Sequence, residues 1–232
     1  MKLFSSVKIA AITATALGFS AVPGLAQTTF SDIEDNVYET EIGKASEMGI
    51  VKGFPDGTFR PDDTVSREQA AAMIVQAING IVSIDLDSRP PQRSNVNPFN
   101  DVSDDRWSAK AINWMQWNLY PANVAQLTGN FRPEDPITRI ELIDFLRRTG
   151  ELVSIKLTGS AELDETVEPI KFTDVVGYDQ VLASQMSAFC RVASPLNEEG
   201  DAFAPNEKAT RDYAVAAIVR AVTCESKEQP TT

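Results

Sequence analysis

The apolar positions of the chain recur at helical spacing. One apolar face is followed by Gly49, which predicts a helix ending in a left-handed residue. After a turn-rich stretch a second apolar face opens at Ser66, and the same order returns twice. The faces are Ile42, Ala45 and Met48; Ala70, Met73, Ile74 and Ala77; Ile140, Ile143 and Leu146; and Ala214, Ile218 and Ala221. The pattern predicts a mainly α fold of helix–loop–helix units.

Short motifs recur in the same register as these faces. Three arginines, Arg67, Arg139 and Arg211, each follow a Ser or Thr and are spaced 72 residues apart. The other recurring residues are Phe30, Phe99 and Phe172, each two residues before Asp32, Asp101 and Asp174; Gly57 and Gly129; and Phe59, Phe131 and Phe203. The register predicts three repeats of one unit.

The repeats set the expected domain boundaries. We expect a leader at 1–26, repeats at 27–79, 99–149 and 172–224, linkers at 80–98 and 150–171, and a tail at 225–232. About 50 residues are too few to bury an independent core. The three units are therefore expected to pack together as one pseudo-threefold, three-pronged bundle.

The first residues have the pattern of a secretory signal peptide. Lys2 and Lys8 precede an apolar run of eleven residues, and Gly24-Leu25-Ala26 is a small-residue cleavage motif. The run is too short to cross a membrane, which needs about 20 apolar residues. The sequence thus predicts export, to the periplasm, cell wall or cell surface, without membrane insertion.

Composition excludes several classes of function. Removing the leader leaves 19 basic and 33 acidic residues, a net charge of −14, which argues against nucleic-acid partners. The chain has no histidine, so we expect no histidine-dependent catalysis, no histidine-ligated metal, no cofactor and no catalytic residues. Cys190 and Cys224 can either form one disulfide after export or remain two buried thiols.

The repeated arginine is the strongest candidate for binding. Ser66 and Thr138 open capping boxes with Gln69 and Glu141, which explains the hydroxyls but not the arginines. A cation in the first helical turn opposes the helix dipole. The unpaired first-turn amides and a guanidinium would together suit a carboxylate or phosphate. The alternative is a structural ion pair of each arginine with Asp32, Asp101 or Asp174, and both can hold in one site.

At these residues the chain resembles an array of three S-layer homology repeats over residues 30–222. The family pattern contains Phe-x-Asp-Val, a tryptophan, Gly-Ile, Asp-Gly-x-Phe-x-Pro and Thr-Arg-Ala-Glu. The second repeat keeps the tryptophan as Trp107, whereas the first has Val37 there and Gln69 in place of the final Glu. The third repeat keeps Thr210-Arg211 but has lost the tryptophan and both signature glycines.

The resemblance implies a non-enzymatic anchoring protein of the cell envelope, expected as a monomer. Its partner would be an anionic cell-wall polysaccharide or peptidoglycan-linked glycan, with a pyruvate ketal as one candidate substituent. The expected ligand residues are Arg67, Arg139, Arg211, Asp32, Asp101, Asp174, Trp107, Gly57 and Gly129. Arg67 and Arg139 are expected to contribute more than Arg211. The alternatives are a periplasmic adaptor that binds a partner protein and a carboxylate-dependent glycan hydrolase.

Overall fold

Six helices form the part of the chain that the structure describes. The structure is a computed structural model that describes residues 30–87, 99–119 and 129–224. The predicted leader and tail lie outside these residues. The helices are α1 (Glu39–Glu47), α2 (Arg67–Val82), α3 (Ala109–Asn118), α4 (Arg139–Thr158), α5 (Gly177–Ala188) and α6 (Arg211–Thr223), with a short 3-10 turn at Leu196–Glu198. The described residues contain no strand, which confirms the mainly α prediction.

Two helices run further than the sequence pattern predicts. The structure continues α2 to Val82 and α4 to Thr158, so residues 80–82 and 150–158 are helical although we expected linkers there. In α4 the apolar face continues to the buried Val153, and Gly159 ends the helix with a φ of 83°. Packing of Val153 thus extends the helix past residue 150, where we expected a linker to begin.

The helices pack across the pairs rather than within them. The inner helices α2, α4 and α6 all contact one another. The outer helices α1, α3 and α5 contact α6, α2 and α4, so each outer helix packs on the inner helix of another pair. The core therefore forms only when all three helix pairs come together.

Backbone hydrogen bonds link the three loops that lead into α2, α4 and α6, and together these bonds form a closed ring. We call these loops the first loop (48–66), second loop (129–138) and third loop (189–210). The amide of Val65 donates to Ala209 O at 3.1 Å, Ala209 N donates to Ile137 O at 2.9 Å, and Ile137 N donates to Val65 O at 2.9 Å. Each loop is thus bonded to both others, and a pseudo-threefold relation between the helices themselves stays a prediction.

Cys190 and Cys224 form a disulfide with their Cα atoms 5.7 Å apart. The bond joins the end of α5 to the end of α6, which are 34 residues apart in sequence. It closes the last helix pair covalently.

Within the described residues, no helix combines the length and the apolar character that crossing a bilayer requires.

Candidate functional site

The three repeated aspartates hold the loops in place. The carboxylate of Asp32 accepts hydrogen bonds from the amides of Phe59 and Arg60 at 2.7 and 2.8 Å. Asp101 and Asp174 accept the corresponding pairs of amides in the second and third loops, from Phe131 and Arg132 and from Phe203 and Ala204. Among the described residues none of the three forms a salt bridge with an arginine, so the alternative of aspartate–arginine ion pairs is wrong.

Side-chain caps form at the starts of α2 and α4, as the sequence predicts, and none forms at the start of α6. Ser66 and Thr138 each accept the amide of the third helical residue and complete capping boxes with Gln69 and Glu141. Thr210 makes no side-chain cap, and its hydroxyl donates to the carboxylate of Asp212 at 2.6 Å.

The first-turn amides are bonded to protein, not open to a ligand. The amides of Arg67 and Arg211 donate to the carbonyls of Asp135 and Asp63 at 2.9 and 2.8 Å. The amide of Arg139 donates to Glu207 O at 2.9 Å, and the amide of the next residue in each helix also bonds to a neighbouring loop. The expectation that these amides bind an anion is wrong, since adjoining loops occupy them.

The guanidinium of each of the three arginines lies near a phenylalanine ring in the loop of a different helix pair. The Cζ atoms of Arg67, Arg139 and Arg211 are 5.0, 5.0 and 4.9 Å from the ring centroids of Phe131, Phe203 and Phe59. We name the three contacts the Arg67, Arg139 and Arg211 junctions. Their common placement makes the differences between them informative.

At the Arg67 junction the guanidinium is buried and neutralised. Arg67 is 6% exposed, its Nε donates to Phe131 O at 2.7 Å, and its Nη1 lies 2.9 Å from the carboxylate of Glu141. The same carboxylate also pairs with Arg132. Burial alone would raise the pKa of Glu141, but the Thr138 amide and the two guanidinium groups hold it below its usual value.

At the Arg139 junction the guanidinium is buried and covered by a ring. Arg139 is 2% exposed and donates from Nε to Phe203 O and from Nη2 to Ser194 O, both at 2.7 Å. Its Cζ lies 3.6 Å from the ring centroid of Tyr213. No described carboxylate forms a salt bridge with it, but the ring and the carbonyls leave it little access to solvent.

The Arg211 junction is the open one. Arg211 is half-buried, and its Nη2 donates to Lys52 O at a long 3.3 Å. Its buried Nε has no hydrogen-bond partner among the residues that the structure describes. None of the described carboxylates forms a salt bridge with it. Burial, together with the nearby Arg60, lowers the pKa of Arg211 despite the opposing charge of Asp63. A second charge of opposite sign would therefore be favourable here.

A second arginine and an aromatic ring complete the surface of the Arg211 junction. The Cζ atoms of Arg60 and Arg211 lie 3.8 and 5.3 Å from the ring centroid of Phe54. Arg60 is exposed and forms a salt bridge with Asp56 at 3.0 Å. Two guanidinium groups and one half-buried ring thus meet at one place on the first loop.

The remaining predicted ligand residues lie elsewhere or have a turn role. Trp107 is 64% exposed and follows Arg106, whose guanidinium binds Glu68 of α2 at 2.7 Å. Gly57 and Gly129 have φ of 83° and 89°, which turns require and other residues rarely adopt. A side chain at either glycine would meet no atom within 4 Å, so both face open space.

Sequence analysis missed the residues that distinguish the junctions. Phe54 has no counterpart in the other loops, and Arg60 recurs as Arg132 in the second loop but as Ala204 in the third. The change from Gln69 to Glu141 was visible in the capping boxes. Its meaning for an arginine of a different repeat was not, because that contact is made across helix pairs.

Residues 29–71 match the family model of the S-layer homology domain. The match confirms the resemblance over these residues. Three repeats stay a prediction.

Several curated proteins are similar to this chain. The exoglucanase XynX of Acetivibrio thermocellus is 27% identical over 191 residues, 82% of this chain and 16% of that protein. A cellulosome-anchoring protein from the same organism is 26% identical over 115 residues, 47% of this chain and 24% of its own length. The outer membrane protein SlpA of Thermus thermophilus is 39% identical over 71 residues, 30% of this chain and 7% of its own length. The chain thus spans a quarter or less of each of these relatives.

S-layer homology domains are binding modules that anchor proteins to the cell surface, and proteins that carry them are exported to the surface or wall. Residues 29–71 of this chain match such a module.

Proposed function

We propose, on the premise that residues 29–71 are an S-layer homology domain, that this protein is a non-enzymatic anchor that binds an anionic polysaccharide of the cell wall. The observation that carries the proposal is Arg211, a half-buried guanidinium without a salt bridge to any described residue in a chain of net charge −12. Arg139 also lacks a carboxylate among the described residues, but a ring and two carbonyls cover it; Arg211 keeps access to solvent, so a ligand can supply the carboxylate there.

The chemistry of the junction suits a charged sugar. A guanidinium presents two parallel donors to a carboxylate, and Arg211 and Arg60 approach Phe54 together. A sugar ring has apolar C–H faces that pack on an aromatic ring such as Phe54. A pyruvate ketal carries its carboxylate directly on the sugar ring, so one residue of polymer can engage both features.

The junctions differ from the order expected from sequence. Arg67 and Arg139 are almost fully buried and bonded to protein groups, whereas Arg211 keeps access to solvent. We therefore assign Arg211 the main part in binding, and Arg67 and Arg139 a mainly structural part.

Co-sedimentation with isolated sacculi tests this function. The parent protein should pellet with sacculi and lose binding after mild acid strips the attached polymers. Arg211→Ala should weaken binding by about 1.5–3 kcal/mol, the range for a hydrogen bond to a charged group. Arg211→Lys should recover part of it, since a point charge cannot make the two-point contact.

Lys156→Ala is the matched control, because it removes one exposed cation from the end of α4. It should bind like the parent. Equal binding of Arg211→Ala and the parent would exclude the Arg211 junction, and equal binding to stripped sacculi would exclude the polymer as ligand.

A further inference from the structure

Two of the junctions place an arginine of one inner helix beside the start of another inner helix. Arg67 of α2 meets Glu141 of α4, and Arg139 of α4 meets Tyr213 of α6. Glu141 and Tyr213 hold the same place, the third position of their helices. The corresponding residue of α2 is Gln69, whose helix follows the loop that Arg211 contacts.

These three residues differ in charge and shape, which decide whether an anion can bind a neighbouring arginine. Glu141 supplies a carboxylate, which lies between the guanidinium groups of Arg67 and Arg132. Tyr213 supplies a ring that covers Arg139. Gln69 is exposed and neutral, and its one oxygen accepts the amide of Ser66 at 3.0 Å. It can cap α2 but cannot neutralise Arg211.

We infer that the residue at the third helical position selects which junction binds a carboxylate. Glu141 is a built-in counter-ion that occupies the place of a ligand carboxylate beside Arg67, Tyr213 closes the place beside Arg139, and Gln69 leaves the place beside Arg211 open. The inference rests on the proposed function and adds to it a specificity-determining residue in each junction. In the parent protein, therefore, only the Arg211 junction of the three binds a carboxylate.

The chain itself supplies the variants that test this assignment. Gln and Glu both complete capping boxes here, at Gln69 and Glu141, so exchanging one for the other keeps both caps. In Glu141→Gln the single amide oxygen is expected to cap Thr138, as the oxygen of Gln69 caps Ser66. The amide group then faces Arg67 and Arg132 without neutralising them.

The experiment is a calorimetric titration of the full protein with the methyl glycoside of a pyruvate-ketal hexose. The parent should bind about one equivalent. Gln69→Glu should bind about tenfold more weakly, which corresponds to about 1.4 kcal/mol. Glu141→Gln should bind about two equivalents, the second at the exposed Arg132, which also loses its counter-ion Glu141 in this variant. The methyl ester of the same glycoside, which has no carboxylate charge, should bind neither the parent nor any variant.

Gln180→Glu and Glu162→Gln are matched controls, because they make the same exchanges at exposed positions outside the junctions and should bind like the parent. A thermal melt of each variant shows whether it is folded. If Glu141→Gln does not fold, Gln69→Glu alone decides.

Unchanged affinity of Gln69→Glu, or one equivalent bound by folded Glu141→Gln, would overturn the selection by the third helical residue while leaving wall binding intact. Failure of the parent to bind both the glycoside and the sacculi would overturn the proposed function and this inference together.

Discussion

At the scale of single residues, the aspartates show how a small motif holds a whole loop. Asp32, Asp101 and Asp174 each bind two consecutive amides, the second of which belongs to a residue with positive φ (Arg60, Arg132 and Ala204). Charge-assisted hydrogen bonds to the carboxylate offset the strain of that left-handed backbone. Folding thus accounts for these aspartates, which brace the loops, and a part for them in ligand binding stays a prediction.

Asp101→Ala should lower the free energy of unfolding by about 2–4 kcal/mol, because it removes two hydrogen bonds to a charged acceptor. Urea unfolding followed by circular dichroism measures the loss. Asp104→Ala, an exposed acid in the same segment, should change stability by less than about 0.5 kcal/mol. A loss below about 1 kcal/mol for Asp101→Ala would contradict the bracing role.

Glu68 links stability to pH. Two hydrogen bonds from Arg106 hold the pKa of Glu68 below its ordinary value of 4.5, burial opposes them, and Ser108 assists. Because the folded pKa is lower than the unfolded one, this stabilisation is present above about pH 4.5 and is lost as pH falls towards the folded pKa.

Glu68→Gln should therefore flatten the fall in unfolding free energy between about pH 5 and pH 3, as measured by urea titrations across that range. Glu162→Gln, an exposed acid, serves as the comparison and should keep the slope of the parent. A parental slope in Glu68→Gln would show that other carboxylates govern acid unfolding.

At the scale of helices and loops, the sequence predicted the elements better than their ends. Capping residues located the starts of α2 and α4 because a cap is a local interaction. The end of α4 depends on Val153, which is buried by tertiary packing that no local pattern reveals. The contacts of the three arginines were not predicted for the same reason, since Arg67 binds Glu141, which lies 74 residues away in the sequence.

The disulfide should stabilise the last helix pair. A loop of 34 residues between Cys190 and Cys224 predicts about 3–4 kcal/mol through the smaller entropy of the unfolded chain. Reduction of the parent, or the double substitution Cys190→Ser and Cys224→Ser, should lower the unfolding free energy by that amount. Adding reductant to the double variant should then have no effect, and a shift there would point to some other action of the reductant.

At the scale of the molecule, the cross-packing of the helix pairs predicts one cooperative unit. All three tryptophans, Trp107, Trp114 and Trp117, lie in or beside α3, so their fluorescence reports on the second helix pair. Ile42 of α1 is fully buried and belongs to the first pair, where α1 packs on α6.

Ile42→Ala should lower stability by about 2–5 kcal/mol, and the fluorescence transition should shift as far as the circular dichroism transition. Val37→Ala, an exposed apolar residue near α1, should leave both in place. If the fluorescence transition stayed at its parental midpoint in Ile42→Ala, the helix pairs would unfold independently.

An anchor carries tension, and the covalent link between Cys190 and Cys224 determines where that tension runs. A force that enters at residue 224 passes through the sulfur atoms to residue 190, and the intervening stretch is mechanically bypassed. Helix α6 and Arg211 at its start belong to that stretch. Pulling on the carboxyl end would therefore not peel α6 away turn by turn, because the disulfide shares the load between the ends of α5 and α6.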